Sequence, residues 1–469
     1  MTLSLSGIVL SQLTELIAVQ TGLHFPPEKW PDLERGIVAA WGDSDFPSVE
    51  SYAQDLLTSP WTKSRTEILA SHLTVGETYF FRHREALTVL QKHVLPELIR
   101  ARRRTGRQLR IWCAGCCSGE EPYSLAILLQ QMLPDWKDWN LTILGTDINL
   151  HFLRRASRGI YREWSFRDTD PCIRDRYFRK LGRDYWEIVP EIKAIVTFAY
   201  LNLAQDIYPA LLNGTNAMDL IFCRNVLMYF SPLRAKEAGE GLYRSMVEGA
   251  WLCVGPSELS QILFSGFEAV QHPGAIFYRK NSHGTPVAVP PPATPDWAFL
   301  SVPDRKLGPS LGDVPVSQAV VRGVSAAPQP SPAERARICA DQGKLTEALD
   351  WCEKAVAADK MNPGAYYLQA AVQQELGRFP EAEVGLKRAL YLDQDFALAH
   401  FALGNLRQRQ GKPGESARHF GNALHVLRAH PKEQIVPESG GIATGRLIGI
   451  IQALGYSATA SPEGKPWRS

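Results

Sequence analysis

Short apolar runs alternate with helical patterns through the middle of the chain. Residues 109–113, 141–148 and 217–223 have the length of buried strands and are rich in β-branched and aromatic side chains. Residues 251–255 and 275–279 continue the series. The first two runs are separated by about the length that a crossover helix needs. The pattern predicts an α/β domain with a doubly wound sheet.

A loop of small residues follows the first predicted strand and leads into a helix. Gly115, Ser118 and Gly119 let the backbone approach a ligand closely, and the Glu-Glu-Pro sequence at 120–122 suits a first helical turn. The loop matches neither the GxGxxG fingerprint nor a P-loop. Two glutamates favour a cationic ligand group, such as the amino group of a methionine moiety, over a phosphate. We therefore expect a nucleoside cofactor here, the alternative being an ordinary strand–loop–helix turn.

Asp147 ends the second predicted strand. In dinucleotide folds an acid at this place accepts hydrogen bonds from both ribose hydroxyls. A lone aspartate after a strand is more often a helix N-cap, and that interpretation stays open for Asp147. Arg224 and Asn225 directly follow the third predicted strand, at the end where open α/β sheets bind ligands. Asp147 after the second strand, and Arg224 with Asn225 after the third, together predict one site at the carboxyl edge of the sheet.

The flanking parts of the chain differ from this central region. Residues 1–90 show apolar positions at helical spacing and predict an N-terminal helical domain before the α/β domain at 91–281. Residues 282–331 are rich in proline and alanine, which is typical of an extended linker. The chain is thus expected to contain several domains.

A repeat of 34 residues occupies the C-terminal part, where Gly343, Gly377 and Gly411 recur at that interval. Small residues recurring in register let paired helices approach closely, which is the tetratricopeptide signature. We expect three repeats over residues 332–435 and a capping helix and tail over 436–469. Arrays of this kind bind other proteins, so we expect a protein partner, which the sequence does not identify.

Composition narrows the classes of function. The chain has 469 residues and a formal net charge of +2, so nucleic-acid binding is not indicated. Its 8 cysteines are scattered, as in reduced cytosolic proteins. Cys113, Cys116 and Cys117 have no second CxxC to complete a metal site, so no metal is predicted. No signal-peptide pattern or membrane-spanning stretch is seen, and we expect a cytoplasmic protein.

Five motifs give the chain a more specific resemblance. They are ETYFFR at 77–82, GEEPYS at 119–124, TDI at 146–148, FCRNV at 222–226 with Tyr229, and GPSE at 255–258. In this order, across about residues 5–281, the chain resembles the CheR family of chemoreceptor glutamate methyltransferases. The resemblance implies the S-adenosyl-L-methionine-dependent methyltransferase fold with that cofactor, and S-adenosyl-L-homocysteine as product. It implies glutamates on methyl-accepting chemotaxis receptors as acceptors, and a small β-subdomain within 160–200.

The resemblance also implies roles for particular residues. Cofactor contacts are implied for Gly76, Thr78, Arg82, Glu121, Asp147, Asn202, Leu203, Arg224 and Asn225. Arg82 would reach the cofactor carboxylate, Glu121 its amino group and Asp147 the ribose. Asn202 and Leu203 would flank the adenine. Arg224 and Tyr229 are the candidates for the catalytic role of orienting the glutamate. The plainer alternatives are a surface ion pair for Arg82, a core tyrosine for Tyr229 and a turn former for Asn202.

Three features bear on activity and partners. Many family members have an asparagine at the position of Gly76, and a histidine at the position of Pro256. The loop at 182–186 looks short for members that bind a receptor's C-terminal pentapeptide, so we expect pentapeptide-independent receptor binding.

A rival hypothesis is a binding scaffold that only senses the cofactor, for which Gly76 is the hint. Methylation of a small molecule or nucleic acid is disfavoured.

Overall fold

The computed structural model describes residues 5–205, 208–281 and 330–453. Most of the predicted linker, residues 282–329, and the tail predicted beyond residue 453 lie outside the described residues. Within the described ranges, no helix combines the length and the apolar character that crossing a membrane requires.

Four helices form a small N-terminal bundle. They are α1 (Gly7–Thr21), α2 (Trp30–Gly42), α3 (Val49–Thr58) and α4 (Lys63–Leu73). Apolar residues at helical spacing, among them Leu13, Ile17 and Leu33, are fully buried in a shared core. The backbone N–H of His24 donates to the carbonyl of Tyr229 at 2.8 Å, which joins the bundle to the predicted site loop.

The central domain alternates strands with helices. Its strands are β1 (Gln108–Ala114), β2 (Asn140–Asp147), β3 (Ile160–Arg162), β4 (Phe178–Leu181), β5 (Tyr185–Ile188), β6 (Val196–Tyr200), β7 (Met218–Cys223), β8 (Met246–Val254), β9 (Phe267–His272) and β10 (Ala275–Lys280). Its helices are α5 (Arg84–Val89), α6 (Leu95–Thr105), α7 (Glu120–Met132), α8 (Leu150–Arg158), α9 (Pro171–Tyr177), α10 (Pro190–Lys193) and α11 (Pro232–Ser245).

Seven strands form one mixed sheet in the order β6-β2-β1-β7-β8-β10-β9. The first five are parallel and the last two join antiparallel. The strand order reverses between β1 and β7, which is the switch point where such sheets bind ligands. The prediction of an α/β methyltransferase sheet is confirmed. The sequence patterns missed β6 and β9 because these two edge strands are less buried and mix polar with apolar residues.

Strands β3, β5 and β4 form a separate antiparallel sheet between Ile160 and Ile188. Its inner face carries Phe178, Trp186 and Ile188, which join the main core beneath β1 and α7. The small sheet is therefore packed onto the central domain through aromatic side chains rather than tethered by a loop alone.

The C-terminal part of the chain consists of paired helices. Their bounds are α12 (Pro332–Asp341), α13 (Leu345–Ala358), α14 (Pro363–Glu375), α15 (Phe379–Leu392), α16 (Ala397–Arg409), α17 (Pro413–Arg428) and α18 (Thr444–Ala453). Gly343, Gly377 and Gly411 stand in the turn of each pair with φ of +74°, +74° and +69°. Because only glycine adopts this conformation freely, the turn accounts for the 34-residue interval between glycines.

This C-terminal helical array packs against the amino-terminal ends of the central strands. Gln108 and Asn140, which begin β1 and β2, both donate to the carbonyl of Glu375 at 2.6 and 2.9 Å. The Glu375 carboxylate lies 2.6 Å from the guanidinium of Arg110, and the two side chains are only 10% and 6% exposed. This contact through Glu375 therefore lies at the opposite end of the strands from the predicted cofactor site.

Candidate active site

A cavity of about 470 Å³ opens at the carboxyl ends of β1, β2, β6 and β7. Its volume lies in the range of sites that enclose a small organic ligand. Residues after α1, residues of α2 and the segment after α4 complete the lining from the N-terminal bundle. The bundle therefore covers a site whose floor is made by the sheet.

The loop after β1 is held against the end of β2. The N–H groups of Gly115 and Cys116 both donate to the carbonyl of Thr146, at 2.8 and 2.9 Å. Gly115 has φ of +76°, and a Cβ at this position would lie 2.3 Å from the side chain of Val226. Glycine is required here both for the backbone conformation and for the close approach of the loop after β7.

Asp147 is 9% exposed and lies in the cavity wall. One carboxylate oxygen accepts the N–H of Cys117 at 2.9 Å and the other accepts the N–H of Asn149 at 2.8 Å. The N-cap of α8 is Asn149, so the alternative of an N-cap role for Asp147 is not what the structure shows. A carboxylate has about four acceptor positions, so these bonds leave acceptor capacity for a ligand hydroxyl.

Burial raises the pKa of Asp147 from 3.8 to about 6, although three backbone N–H groups oppose the shift. Burying the ionised carboxylate therefore destabilises the ligand-free protein above pH 6, and this cost declines as the pH falls from 6 towards 4. The hydroxyls of a ribose diol donate to the ionised carboxylate. Cofactor affinity should therefore fall as the pH falls and Asp147 becomes protonated.

We expect cofactor affinity to be constant above pH 7 and about tenfold weaker at pH 5, because Asp147 must give up a proton to bind. Calorimetric titration with S-adenosyl-L-homocysteine between pH 5 and 8 measures this profile. A binding constant that does not change over this range would contradict the assignment of Asp147 to the ligand.

Glu121, in the first turn of α7, lies beside Arg224 in the wall of the cavity. The Arg224 Nε lies 3.4 Å from the Glu121 Oε2. Burial raises the pKa of Glu121, and the nearby Arg224 charge opposes the shift. The Nη2 group of Arg224 donates to the backbone carbonyl of Arg82 at 3.0 Å. Arg224 thus ties the acid of α7 to the segment that carries Arg82.

Arg82 lies in a constrained turn between the bundle and α5. Its neighbours Phe81 and His83 have φ of +58° and +62°, a conformation that is rare outside glycine and that stores strain. The N–H of Phe81 donates to the Ser124 hydroxyl at 3.0 Å, and Arg82 itself donates to the carbonyl of Glu77 at 2.6 Å. These bonds hold the Arg82 side chain at the cavity wall.

Asn202 and Leu203 follow β6 and line the cavity. The Asn202 amide donates to the carbonyl of Gln20 at 2.8 Å and its oxygen accepts the N–H of Ala204 at 3.0 Å. Asn202 is therefore also a turn former, as its alternative interpretation proposed. It fixes the loop that presents Leu203 to the cavity.

Thr78, Asn225 and Tyr229 line the same cavity. The Tyr229 ring packs against the core of the N-terminal bundle, and the ammonium of Lys29 lies 5.8 Å from its centre. Tyr229 is thus a partly buried tyrosine whose side chain also reaches the site. Its position is therefore compatible both with a core tyrosine and with a residue that lies at the site.

Gly76 is the predicted site residue that lies outside the cavity lining. A Cβ at Gly76 would be 2.5 Å from the ring of Phe152, which does line the cavity. The ring therefore occupies the space into which the asparagine of other members would project. Phe152 is a lining residue that the sequence patterns did not indicate.

Glu258 is a second residue whose role the patterns missed. It is buried, and its carboxylate accepts backbone N–H groups at 2.6 to 3.2 Å from Gly255, Asn225, Val226 and Met228. It therefore fixes the turn between Arg224 and Tyr229. Its place in the GPSE motif was the available signal, but the motif alone does not say what the acid binds.

The cysteines beside the cavity are neutral thiols. Burial raises the pKa of Cys117 to about 12 and raises the pKa of Cys113 and Cys116 as well. Within the part of the chain that the structure describes, no group of histidine, cysteine and acidic side chains is arranged to hold a metal ion.

Comparison with known proteins decides the family. The family profile described as "CheR methyltransferase, SAM binding domain" matches residues 76–273. A relative from Pseudomonas aeruginosa, named as the probable biofilm formation methyltransferase WspC, is 30% identical over 72% of this chain and 81% of its own length. The chain belongs to the CheR methyltransferase family. S-adenosyl-L-methionine is accordingly the cofactor of its central domain.

Other CheR relatives match a smaller share of the chain. Chemotaxis protein methyltransferase 1 of Pseudomonas aeruginosa is 35% identical over 45% of this chain and 77% of its own length. Chemotaxis protein methyltransferase 2 of Vibrio cholerae is 32% identical over 45% and 72%. The WspC match covers more of this chain than residues 1–281 contain, so it extends beyond the central domain.

Proposed function

We propose that this chain is a protein-glutamate O-methyltransferase that modifies methyl-accepting chemotaxis receptors. The observation that carries the proposal is one cavity that combines Asp147, Glu121, Arg82 and Arg224 with a tyrosine, Tyr229. The names of the CheR relatives indicate chemotaxis proteins as the class of substrate. The proposal places the acceptor on the cytoplasmic helices of a receptor.

The cavity residues would divide the work of binding. Asp147 would hold the ribose diol through its remaining acceptor capacity, Glu121 would bind the ammonium group, and Arg82 would bind the carboxylate of the methionine portion. Asn202 fixes the adenine loop and Leu203 provides its apolar contact. Thr78 and Asn225 would complete the cofactor contacts. Bound S-adenosyl-L-methionine supplies a methyl group on a positively charged sulfur.

The acceptor chemistry needs no general base. A glutamate side chain is already ionised at neutral pH, since its usual pKa is about 4.3. The protein must align the carboxylate with the methyl–sulfur bond and exclude water, and alignment of this kind is worth up to about 7–11 kcal/mol. Arg224 and Tyr229 are the residues that we assign to orienting the carboxylate.

Removing the hydroxyl of Tyr229 tests its assigned role. We expect Tyr229→Phe to lower kcat about tenfold, because one hydrogen bond to a charged acceptor is lost while ring packing against the bundle is kept. Binding of S-adenosyl-L-homocysteine should be unchanged. Tyr391→Phe is the matched control, since Tyr391 is exposed on α15. An unchanged kcat would contradict the role.

Methyl transfer itself is tested with cofactor labelled in its methyl group. The purified chain is incubated with the cytoplasmic helical hairpin of a methyl-accepting receptor from the same organism. Carboxyl methyl esters release methanol in mild alkali, whereas N-methyl groups do not, so alkaline release of label identifies glutamate esters. Cofactor binding without transfer to any such receptor would instead support the hypothesis of a cofactor-sensing scaffold.

We further propose that the C-terminal helical array is a tetratricopeptide module for a protein partner. Three helix pairs with glycine turns at a 34-residue interval support this proposal. The three-residue turn between β4 and β5 supports receptor binding that does not depend on a C-terminal pentapeptide.

A further inference from the structure

A row of alternating arginine and aromatic side chains leads from the cavity to the turn that follows β3. The guanidinium carbon of Arg82 lies 5.6 Å from the ring centre of Tyr79. That of Arg167 lies 3.7 Å from the same ring and 4.6 Å from the ring of Trp164. Arg82 and Tyr79 line the cavity, whereas Trp164 is 72% exposed. We call these four residues the arginine–aromatic row.

The exposure of Trp164 does not come from a loosely held loop. The next residue, Ser165, is buried: its carbonyl accepts the N–H of Phe80 at 2.9 Å and its hydroxyl donates to Glu120 at 3.0 Å. Phe166 stacks on Phe80 with ring centres 5.0 Å apart. Trp164 is thus presented outward by a turn that is fixed to the cofactor loop.

Two properties distinguish this row from ordinary exposed side chains. Single exposed apolar residues are common and need no explanation. Here, however, the exposed tryptophan is continuous with the cavity through stacked contacts. Tryptophan, tyrosine and arginine are also the residues that contribute most to binding at protein interfaces. Stacking restricts the Arg167 side chain before any partner binds, which lowers the entropy cost of docking.

We propose that the arginine–aromatic row is the docking surface for the acidic helical segment that carries the acceptor glutamate. This inference rests on the proposed function and names the surface through which that function selects its substrate. A protein substrate is larger than the cavity, so the residues around the acceptor must lie across the rim. Arg167 pairs with Glu77 at 3.0 Å, and an acidic partner can share or replace that contact.

The competing location is the opposite rim, where apolar side chains after β7 and β8 are exposed. Met228 is 45% exposed, and Leu259, at 37%, lines a neighbouring cavity that shares Arg224. Here Arg224 lies 5.8 Å from the ring centre of Phe222, but that ring is fully buried, so the contact presents no aromatic side chain to a partner. Leu259→Ser therefore provides the variant that discriminates between the two rims.

The test measures steady-state methyl transfer to the purified cytoplasmic hairpin of a methyl-accepting receptor. We expect Trp164→Ala to lower kcat/KM about 10- to 100-fold through a higher KM, and Trp164→Phe to restore most of it. Arg167→Ala should raise KM and weaken its dependence on salt. Binding of S-adenosyl-L-homocysteine should stay unchanged in all three variants. Tyr391→Ala, also an exposed aromatic, should behave as wild type.

The outcomes separate this inference from the proposed function. Methylation by wild type with an unchanged KM for Trp164→Ala overturns the docking surface and leaves the function standing. A raised KM for Leu259→Ser but not for Trp164→Ala places the receptor on the opposite rim and also overturns it. Absence of methyl esters with wild type overturns both. Circular dichroism of each variant excludes misfolding as the cause of a raised KM.

Discussion

Replacing Asp147 by alanine should weaken binding of S-adenosyl-L-methionine by at least about 100-fold. The variant loses hydrogen bonds from the ribose to a charged acceptor, each worth about 1.5–3 kcal/mol. It also leaves the N–H groups of Cys117 and Asn149 without the acceptor that fixes the cofactor loop. Because both effects act on the same site, we expect the largest loss of affinity among single changes in the cavity.

Asp147→Asn separates charge from shape. Each carboxylate oxygen accepts a backbone N–H, so the amide group of an asparagine would face one of these donors. We therefore expect Asp147→Asn to bind nearly as poorly as Asp147→Ala. Calorimetry with both cofactor and product measures the losses, and Asp184→Ala, an exposed acid in the β4–β5 turn, is the matched control. Micromolar binding by Asp147→Ala would remove Asp147 from the cofactor site.

Sequence patterns could predict those site residues that directly follow or end a recognisable strand. Asp147 ends a buried strand, and Arg224 directly follows another, so strand recognition alone places both at one edge. The residues from the N-terminal bundle were different, because nothing local brings Thr78 to the sheet. Only the motif resemblance indicated that contact, and the structure brings it into the cavity.

The features that sequence patterns missed depend on contacts between distant segments. Phe152 fills the space beside Gly76 only because α8 packs against the segment after α4. Glu258 accepts N–H groups from a loop some thirty residues earlier in the chain. Neither contact produces a periodic pattern in the sequence. In each case a single side chain meets a distant segment whose position the rest of the fold determines.

The docking of the helical array was also outside what a repeat pattern can predict. The 34-residue interval determines the helix pairs, since each glycine turn is local. It does not determine which face of the array meets the central domain. That contact depends on Glu375 at the end of α14 and on Arg110 in β1, which are separated by much of the chain.

Replacing Glu375 by alanine should destabilise the contact between the array and the central domain by about 3–5 kcal/mol, the cost of leaving a buried charge unpaired. Arg110 would keep its bonds to the carbonyls of Asn216 and Gly214, at 3.1 and 2.9 Å, but lose its ion pair with Glu375. Asp219 would remain as the buried carboxylate that the Arg110 charge stabilises. Glu375 also acts on Arg409, whose pKa is lowered by desolvation and raised by the Glu375 charge. The buried guanidinium of Arg110 would then lack the carboxylate with which it is paired.

Urea unfolding followed by circular dichroism measures this loss, and limited proteolysis reports release of the array. The backbone carbonyl of Glu375 keeps its bonds from Gln108 and Asn140 in the variant, so the experiment isolates the carboxylate. Glu353→Ala, an exposed acid on α13, is the control. Cofactor affinity should not change, because the contact lies at the opposite end of the strands. A loss below about 1 kcal/mol, the value typical of an exposed ion pair, would show that the carboxylate does not hold the array in place.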